Sequence, residues 1–160
     1  MKKSLLVLAA ALATAGAAQA DTLKKIKDSG SVTMGVRESS GALSYTLGDG
    51  KFVGYHVEIC ERVLRDIQKQ LGLTALSTKY QPVTSQNRIP LMQNGTVDIE
   101  CGSTTNNATR QKDVSFAVTT FVEEVRIAVK ANSGITSIAQ LNGKKVATTT
   151  GTTSVQTLRK

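Results

Sequence analysis

Two repeating patterns of hydrophobic and polar positions alternate along this chain. The first is the two-residue alternation of a strand, in which Val32, Met34 and Val36 are separated by small or polar residues. The same alternation returns over residues 97–101. Because successive side chains of a strand point to opposite faces, each segment predicts a strand with one buried face.

The second pattern is the three-to-four-residue spacing of an amphipathic helix, and it is strongest over residues 55–71. The apolar positions of that segment are Val57, Cys60, Val63, Leu64, Ile67 and Leu71. Gly72 then predicts the end of the helix. Shorter helices are predicted between Leu23 and Gly30 and after Asn87, a candidate N-cap that is followed by Pro90 in the first turn.

The remaining segments complete a series in which strands alternate with helices. Residues 43–47 and 51–53 flank a Gly-Asp-Gly turn and predict a hairpin. Further extended segments are predicted over residues 76–83, over 119–130 as one or two strands, and over 145–149. Helix starts are predicted at residues 108–112, from 137 and after 154. This order favours an α/β fold with a largely parallel sheet, right-handed crossovers and ligand groups at the carboxyl ends of the strands.

The first twenty residues have the pattern of a cleavable secretory signal. Lys2 and Lys3 precede an apolar run over residues 5–13, and Ala18-Gln-Ala20 supplies the small-residue cleavage motif. The apolar run is too short to span a bilayer, which requires about 20 residues. We therefore expect export, a soluble mature chain that begins at Asp21, and no lipid anchor.

The last residues predict the beginning of a second α/β unit. A short helix from residue 137, a strand over 145–149 and the loop of residues 150–154 are followed by barely two turns of helix. We therefore expect the 160 residues to be the N-terminal part of a longer protein.

Charge and composition argue against a nucleic-acid partner. Without Lys2 and Lys3 the formal net charge falls by two, from +8 to +6, and the basic residues are spread among acidic ones. The chain has no Trp and only six Phe and Tyr residues, whereas nucleic-acid binders combine basic patches with stacking aromatics. The composition instead predicts a solvated surface with a mild preference for anionic ligands.

Two cysteines, Cys60 and Cys101, leave two alternatives open. In an oxidising compartment they are able to form a disulfide, but their spacing fits no metal motif and a single pair defines no disulfide scaffold. Cys60 falls on the apolar face of a predicted helix and Cys101 at the end of a predicted strand. Two buried thiols are therefore about as well supported as a bridge.

Three loops that follow predicted strands combine an arginine with short hydroxyl side chains. They are residues 37–40, 84–88 and 103–110, which carry Arg37, Arg88 and Arg110. An arginine fork matches a carboxylate bidentately, and hydroxyls supply the remaining donors that a desolvated carboxylate needs. Taken singly, an arginine is more often a surface residue, and Ser, Thr and Asn commonly cap helices and form turns.

The sequence of these loops resembles a known family. Residues 35–40 (GVRESS), 84–95 (TSQNRIPLMQNG), 100–107 (ECGSTTNN) and 150–154 (TGTTS) are similar to the periplasmic glutamate/aspartate-binding proteins of ABC importers, which are solute-binding proteins of family 3. The similarity runs from about Thr22 to the last residue. It implies an α/β, periplasmic-binding-protein-like fold of two lobes that close on a ligand like a hinged clamp. Lobe 1 would be residues 21–121, and residues 122–160 would be the hinge crossing and the start of lobe 2.

The resemblance also implies roles for individual residues. Arg110 would hold the α-carboxylate of the ligand, helped by Ser103 and Thr105 and, from lobe 2, by Thr152 or Thr153. The side-chain carboxylate would be held by Arg37, Ser85 and Arg88. The acidic partner of the α-ammonium group would come from a part of lobe 2 beyond residue 160. The implied partners are glutamate or aspartate and the membrane permease of an ABC importer, for a monomer in the periplasm that needs no cofactor or metal.

Two other functions remain as alternatives. The same fold serves as the sensing domain of membrane receptors, and some dehydratase-like enzymes share it. The sequence offers an enzyme little, because it contains no phosphate loop, no Gly-x-Ser-x-Gly and no paired His ligands. Glu38 and Glu100 lie near the predicted cleft and are in principle able to transfer a proton, but each has a plain structural alternative as the ion-pair partner of a neighbouring arginine. His56 stands where the broader family carries an acidic residue, and it is interpreted as a helix-start or surface residue rather than a ligand.

Overall fold

A computed structural model of the protein describes residues 21–159, so the predicted secretory signal lies outside the described residues. The described residues form four α-helices: α1 (Thr22–Ser29), α2 (Tyr55–Gln70), α3 (Arg88–Gln93) and α4 (Thr153–Leu158). Five strands accompany them: β1 (Ser31–Val36), β2 (Tyr45–Gly48), β3 (Lys51–Val53), β4 (Ser77–Pro82) and β5 (Ile99–Glu100). Short 3₁₀ turns occupy Gly41–Leu43, Arg110–Lys112 and Ile138–Leu141.

Strand β1 is the centre of a three-stranded parallel sheet with the order β4-β1-β5. Val36 at the end of β1 lies opposite Pro82 at the end of β4, and Gly35 lies opposite Glu100. The expected parallel sheet is therefore confirmed. Because parallel strands end at the same edge, the loops that begin at Arg37, Val83 and Cys101 leave the sheet side by side.

Helix α2 covers one face of this sheet and provides much of the core. The predicted apolar stripe is buried at Val57, Cys60 and Leu64, while Val63 is exposed. These residues pack with the buried side chains of the first helix and the central strand, which are Ile26, Val32, Met34 and Val36. Cys60 and Cys101 form a disulfide with a Cα–Cα distance of 6.3 Å, which decides between the two alternatives for the cysteines.

Helix α1 is fixed to the sheet through Asp98, which immediately precedes β5. One carboxylate oxygen of Asp98 accepts from the backbone N–H of Thr33 at 2.8 Å, and the other pairs with Lys25 at 2.7 Å. Asp21 caps the start of α1, and Gly30 ends the helix with a φ of 61°, in the left-handed region. The predicted helix and its glycine stop are confirmed.

The predicted hairpin forms from β2 and β3, and the helix after Asn87 forms as α3. Two expectations about the C-terminal third were wrong: residues 119–130 and 145–149 contain no strand. An extended segment becomes a strand only when a neighbour shares its backbone hydrogen bonds, and no described strand pairs with either segment. The helix start predicted at residues 108–112 is only a 3₁₀ turn. Among residues 21–159, no helix combines the length and apolarity needed to cross a bilayer.

Candidate anion-binding site

Three arginine-bearing loops meet at the carboxyl edge of the parallel sheet. Arg37 directly follows β1, Arg88 begins α3 after the loop that leaves β4, and Arg110 begins a 3₁₀ turn in the loop that leaves β5. The topology that puts β1 between β4 and β5 therefore places these loops next to one another. Sequence reasoning predicted all three loops as carriers of the site.

Arg37 is held in a network that joins all three strand ends. Its Nη1 donates to the carbonyl oxygen of Val83 at 3.0 Å, and its Nε donates to the hydroxyl of Ser40 at 3.0 Å. The Ser40 hydroxyl lies 3.1 Å from the hydroxyl of Ser103. The backbone N–H of Arg37 donates to the fully buried hydroxyl of Ser44. Ser44 was not recognised from the sequence, where it is one of many serines.

Arg88 is a buried cation with unused donors. Its side chain is only 3% exposed, and neither Nε nor Nη1 has a hydrogen-bond partner. Burial lowers the pKa of Arg88 to about 10, an effect that nearby Glu100 opposes and that Arg110 and Arg37 reinforce. The side chain remains charged at neutral pH, so a positive group with free N–H donors lies inside the protein.

Glu100 is the acidic group that interacts electrostatically with the three arginines. Burial raises the pKa of this carboxyl, while Thr104, Arg88, Arg37 and His56 favour its charged form. Its Oε1 atom is buried without a hydrogen-bond partner, and within residues 21–159 it forms no ion pair shorter than 4.0 Å. The direct ion pair with a neighbouring arginine, one of the alternatives for Glu100, is therefore not formed. Glu38, the other acidic candidate, is exposed.

Arg110 joins its own loop to the loop that precedes α4. Its Nη1 donates to the carbonyl oxygen of Thr105 and its Nη2 to that of Gly151, both at 3.0 Å. The side chain of Asn107 accepts from the backbone N–H of Arg110 at 2.9 Å, which fixes the start of the turn. Burial lowers the pKa of Arg110, and Glu100 opposes this effect.

A groove of about 370 Å³ opens between these loops. It is lined by Arg37, Glu38, Ser39, Val83, Thr84, Ser85, Gln86, Thr149 and Thr150. One wall is formed by a close backbone approach at Gly151, where an added Cβ would lie 2.4 Å from the carbonyl oxygen of Ser85. The groove is therefore bounded by residues of the first two arginine loops and of the loop before α4.

The structure brings the eight predicted site residues to this region in different ways. Arg37 and Ser85 line the groove, Arg88 is a charged neighbour of Arg37, and both Arg88 and Arg110 are charged neighbours of Glu100. Ser103 joins the Arg37 network through its hydroxyl. Thr105 contributes its carbonyl oxygen to Arg110, and its side chain is exposed. Thr152 donates to the carbonyl oxygen of Thr149, and Thr153 is the first residue of α4. The individual roles stay predictions.

His56 takes part in the architecture of the site although sequence reasoning gave it no role there. It is the second residue of α2, so the helix-start interpretation of its position is correct. However, both of its ring nitrogens contact other segments: Nδ1 contacts the carbonyl oxygen of Gly102 and Nε2 contacts the hydroxyl of Thr120. A usable signal was present, because His56 lies one helical turn before Cys60, on the face that meets the sheet.

Comparison with known proteins agrees with this architecture. Residues 32–159 match the bacterial extracellular solute-binding proteins, family 3. The chain is 49% identical over 140 residues to the L-glutamate/L-aspartate-binding protein of Pseudomonas aeruginosa, covering 86% of this chain and 46% of that protein. It is 44% identical over 167 residues to the glutamate/aspartate import solute-binding protein of Escherichia coli, covering 99% of this chain and 55% of the relative. The chain thus spans about half the length of these curated relatives.

Solved structures show the same fold. An ancestral arginine-binding protein bound to glutamine aligns with a TM-score of 0.64 and 26% identity, over 81% of this chain and 55% of that one. A cysteine-binding protein from Campylobacter jejuni aligns with a TM-score of 0.59 and 22% identity, over 75% of this chain and 47% of that one. Sheet, edge loops and structural neighbours together define an α/β protein of the periplasmic-binding-protein-like class. The chain belongs to the bacterial extracellular solute-binding proteins, family 3.

Proposed function

We propose that this protein captures glutamate or aspartate outside the cytoplasm and delivers it to the membrane permease of an ABC importer. The observation that carries the proposal is the charge balance of the site. Three guanidinium groups, those of Arg37, Arg88 and Arg110, interact electrostatically with one buried carboxyl group, that of Glu100. The names of the relatives from Pseudomonas aeruginosa and Escherichia coli support the same ligand.

The excess of positive charge explains why a dicarboxylate suits this site. One arginine is sufficient for the α-carboxylate that every amino acid carries. The additional guanidiniums, with the unpartnered Nε and Nη1 of Arg88 among their donors, offer a second anion-binding position. A neutral amino acid would leave that position uncompensated, and a buried unpaired charge costs several kcal/mol.

The proposed division of roles follows the two ends of the ligand. Arg110 binds the α-carboxylate, together with Ser103, Thr105 and either Thr152 or Thr153. The side-chain carboxylate is bound by Arg37, Ser85 and Arg88. The hydrogen bond between Arg110 and Gly151 supports this division, because it keeps residues 152 and 153 near the proposed α-carboxylate position.

The remaining parts of the proposal concern the whole protein. Residues 21–121 form the first lobe, and residues 122–160 form the hinge crossing and the beginning of a second lobe that closes over the ligand. The protein acts as a monomer in the periplasm, to which the leader of residues 1–20 directs it. It needs no cofactor and binds no nucleic acid. The loop of residues 149–151 beside Ser85 supports closure between the proposed lobes.

Calorimetric titration tests the proposed ligand. The mature protein from the complete reading frame is titrated with glutamate, aspartate, glutamine and arginine. Tight binding of the two acids alone is expected. Arg88→Met removes the buried charge while keeping most of the side-chain volume, and it should weaken binding of the acids at least about 100-fold, as expected when a buried charge–charge hydrogen bond is lost.

The matched control is Arg65→Met, the same change on the exposed face of α2, which should leave binding within about twofold. If glutamine or arginine bound as tightly as the acids, the roles given to Arg37 and Arg88 would be wrong. Recovery of the bound acid chemically unchanged is expected, whereas a converted product would favour an enzyme.

A further inference from the structure

The His56 imidazole uses both of its nitrogens to bridge two segments that are otherwise far apart in sequence. Nδ1 lies 2.5 Å from the carbonyl oxygen of Gly102, and Nε2 lies 2.8 Å from the hydroxyl of Thr120. The ring is half-buried at the start of α2. A surface histidine needs neither contact, so the paired arrangement requires its own explanation.

The chemistry of the two partners places a hydrogen on Nδ1 of the ring and is compatible with a neutral imidazole. A carbonyl oxygen only accepts, so Nδ1 must carry a hydrogen. In the neutral imidazole, Nε2 is then an acceptor, and the Thr120 hydroxyl, which both donates and accepts, donates to it. Both hydrogen bonds are thus satisfied by one tautomer of the neutral ring, and the bridge needs no net charge on His56.

One end of the bridge fixes the backbone that leads into the loop of residues 103–110, which we call the anion-binding loop. Gly102 lies between Cys101, which is disulfide-bonded to Cys60, and Ser103, whose hydroxyl belongs to the Arg37 network. Cys60 is one helical turn after His56 on α2. The adjacent residues Cys101 and Gly102 are therefore both attached to α2, Cys101 through the disulfide to Cys60 and Gly102 through the contact with His56.

The other end of the bridge fixes the segment where the proposed hinge crossing begins. Within residues 21–159, the hydrogen bonds that join residues 115–129 to the rest of the chain both end on Thr120, from His56 and from the hydroxyl of Tyr55. On either side, Val118 and Val122 are 85% and 84% exposed. The start of α2 is therefore the anchor of this segment.

We propose that His56 is a positioning residue for the ligand site, which joins the backbone of the anion-binding loop at Gly102 to the crossing segment at Thr120. Its imidazole touches neither carboxylate of the ligand; it holds the Ser103 end of the loop in the geometry that the Arg37 network requires. The proposal rests on the proposed function, since its effect is read through binding of an acidic amino acid.

Three variants separate the two ends of the bridge. His56→Ala removes both hydrogen bonds, His56→Asn keeps an N–H where Nδ1 stands and loses only the Thr120 contact, and Thr120→Val removes the same contact from the other side. The full-length protein is titrated with glutamate and aspartate. His56→Ala should weaken binding about three- to tenfold, the size of effect that one net hydrogen bond gives, because the two lost bonds act on the ligand only indirectly, through the loop; His56→Asn should restore part of the loss.

A double-mutant cycle distinguishes positioning from general loss of structure. His56→Ala combined with Thr120→Val should bind no more weakly than His56→Ala alone, because the Thr120 contact is already absent in the single variant. Melting temperatures are measured in parallel without ligand, and His56→Asn should melt within a few degrees of the parent. ¹⁵N NMR of the imidazole should show the Nδ1-protonated tautomer.

The outcomes separate this inference from the proposed function. A parent protein that binds neither acid would contradict the function. A parent that binds them, with His56→Ala within twofold of it, with additive losses in the double variant, or with the proton on Nε2, would contradict the role of His56.

Discussion

The guanidinium of Arg110 donates through Nη2 to the carbonyl oxygen of Gly151, which is 3.0 Å away in space and 41 residues later in the chain. Gly151 in turn lies against the backbone of Ser85 and Gln86. Residues from both sides of the proposed lobe boundary therefore meet around one glycine. This meeting point makes Gly151 a sensitive probe of how closely the loops must approach.

Gly151→Ala should push the loops apart and weaken ligand binding by at least about tenfold. An added Cβ would lie 2.4 Å from the carbonyl oxygen of Ser85 and 2.7 Å from the Cα of Gln86, and backbone atoms cannot yield as a flexible side chain does. Gly143→Ala is the matched control, since its φ of 72° is close to the 76° of Gly151 but no heavy atom lies within 4 Å of its added Cβ. Calorimetry of both variants with glutamate checks the prediction, and equal losses would contradict it.

Arg88→Met should raise the free energy of unfolding of the ligand-free protein by about 1–3 kcal/mol while it abolishes tight binding. The side chain is buried with two unpartnered nitrogens, so the charge stabilises the bound state at the expense of the free one. Urea unfolding without ligand measures the change. A destabilised variant would mean that Arg88 has compensating contacts within the fold.

Glu100→Gln should produce a stability difference that depends on pH in one direction. The folded pKa of Glu100 is raised above its ordinary 4.5, so between 4.5 and the folded pKa the native state holds more protons than the unfolded state. Stability that the protonated carboxyl contributes is fully present below pH 4.5 and is lost as the pH rises through the folded pKa. The variant has no such group, so its free energy of unfolding should increase relative to that of the parent as the pH rises.

Urea unfolding of parent and variant at several pH values between 4 and 8 measures this difference, and the other titrating groups cancel in the comparison. If the variant instead gained stability relative to the parent as the pH fell, the arginines, rather than burial, would control the pKa of Glu100.

Replacement of Cys60 and Cys101 by alanine should lower the free energy of unfolding by roughly 4 kcal/mol. The bridge spans a sequence separation of 41 residues, and the chain-entropy model gives about this value for a loop of that length. Denaturant unfolding with and without a reductant checks the prediction. The reduced parent should approach the variant, and a variant as stable as the oxidised parent would contradict it.

The central part of the fold was predictable because its physical causes are local. The alternation of Val32, Met34 and Val36 and the apolar stripe of α2 each specify a buried face within a few residues. The position of Arg37 at a strand end followed directly from the first pattern. Whether Cys60 and Cys101 form a disulfide or stay two buried thiols was left open, because the distance between them depends on how α2 lies on the sheet, which local spacing does not determine.

The expectations that failed depend on distant partners. Residues 119–130 have a strand-like composition, but a strand requires a neighbouring ladder, and β-propensity largely reflects such neighbours. The bridge formed by His56 was missed for a related reason, since Gly102 and Thr120 are 46 and 64 residues away. The burial of Glu100 without a direct ion pair likewise follows from packing, because its sequence neighbours predict only a strand end.

The central position of β1 has a consequence for the order in which the protein is able to fold. Its two parallel partners come later in the chain, β4 beginning 46 residues and β5 68 residues after β1 begins. Neither edge of β1 is therefore satisfied by the residues that emerge directly after it, and the sheet is complete only when more than half of the chain is available. Such non-local pairing slows folding. We propose export for this chain, and for an exported chain slow assembly is an advantage, because it leaves the polypeptide extended for long enough to be threaded through the membrane before the core closes.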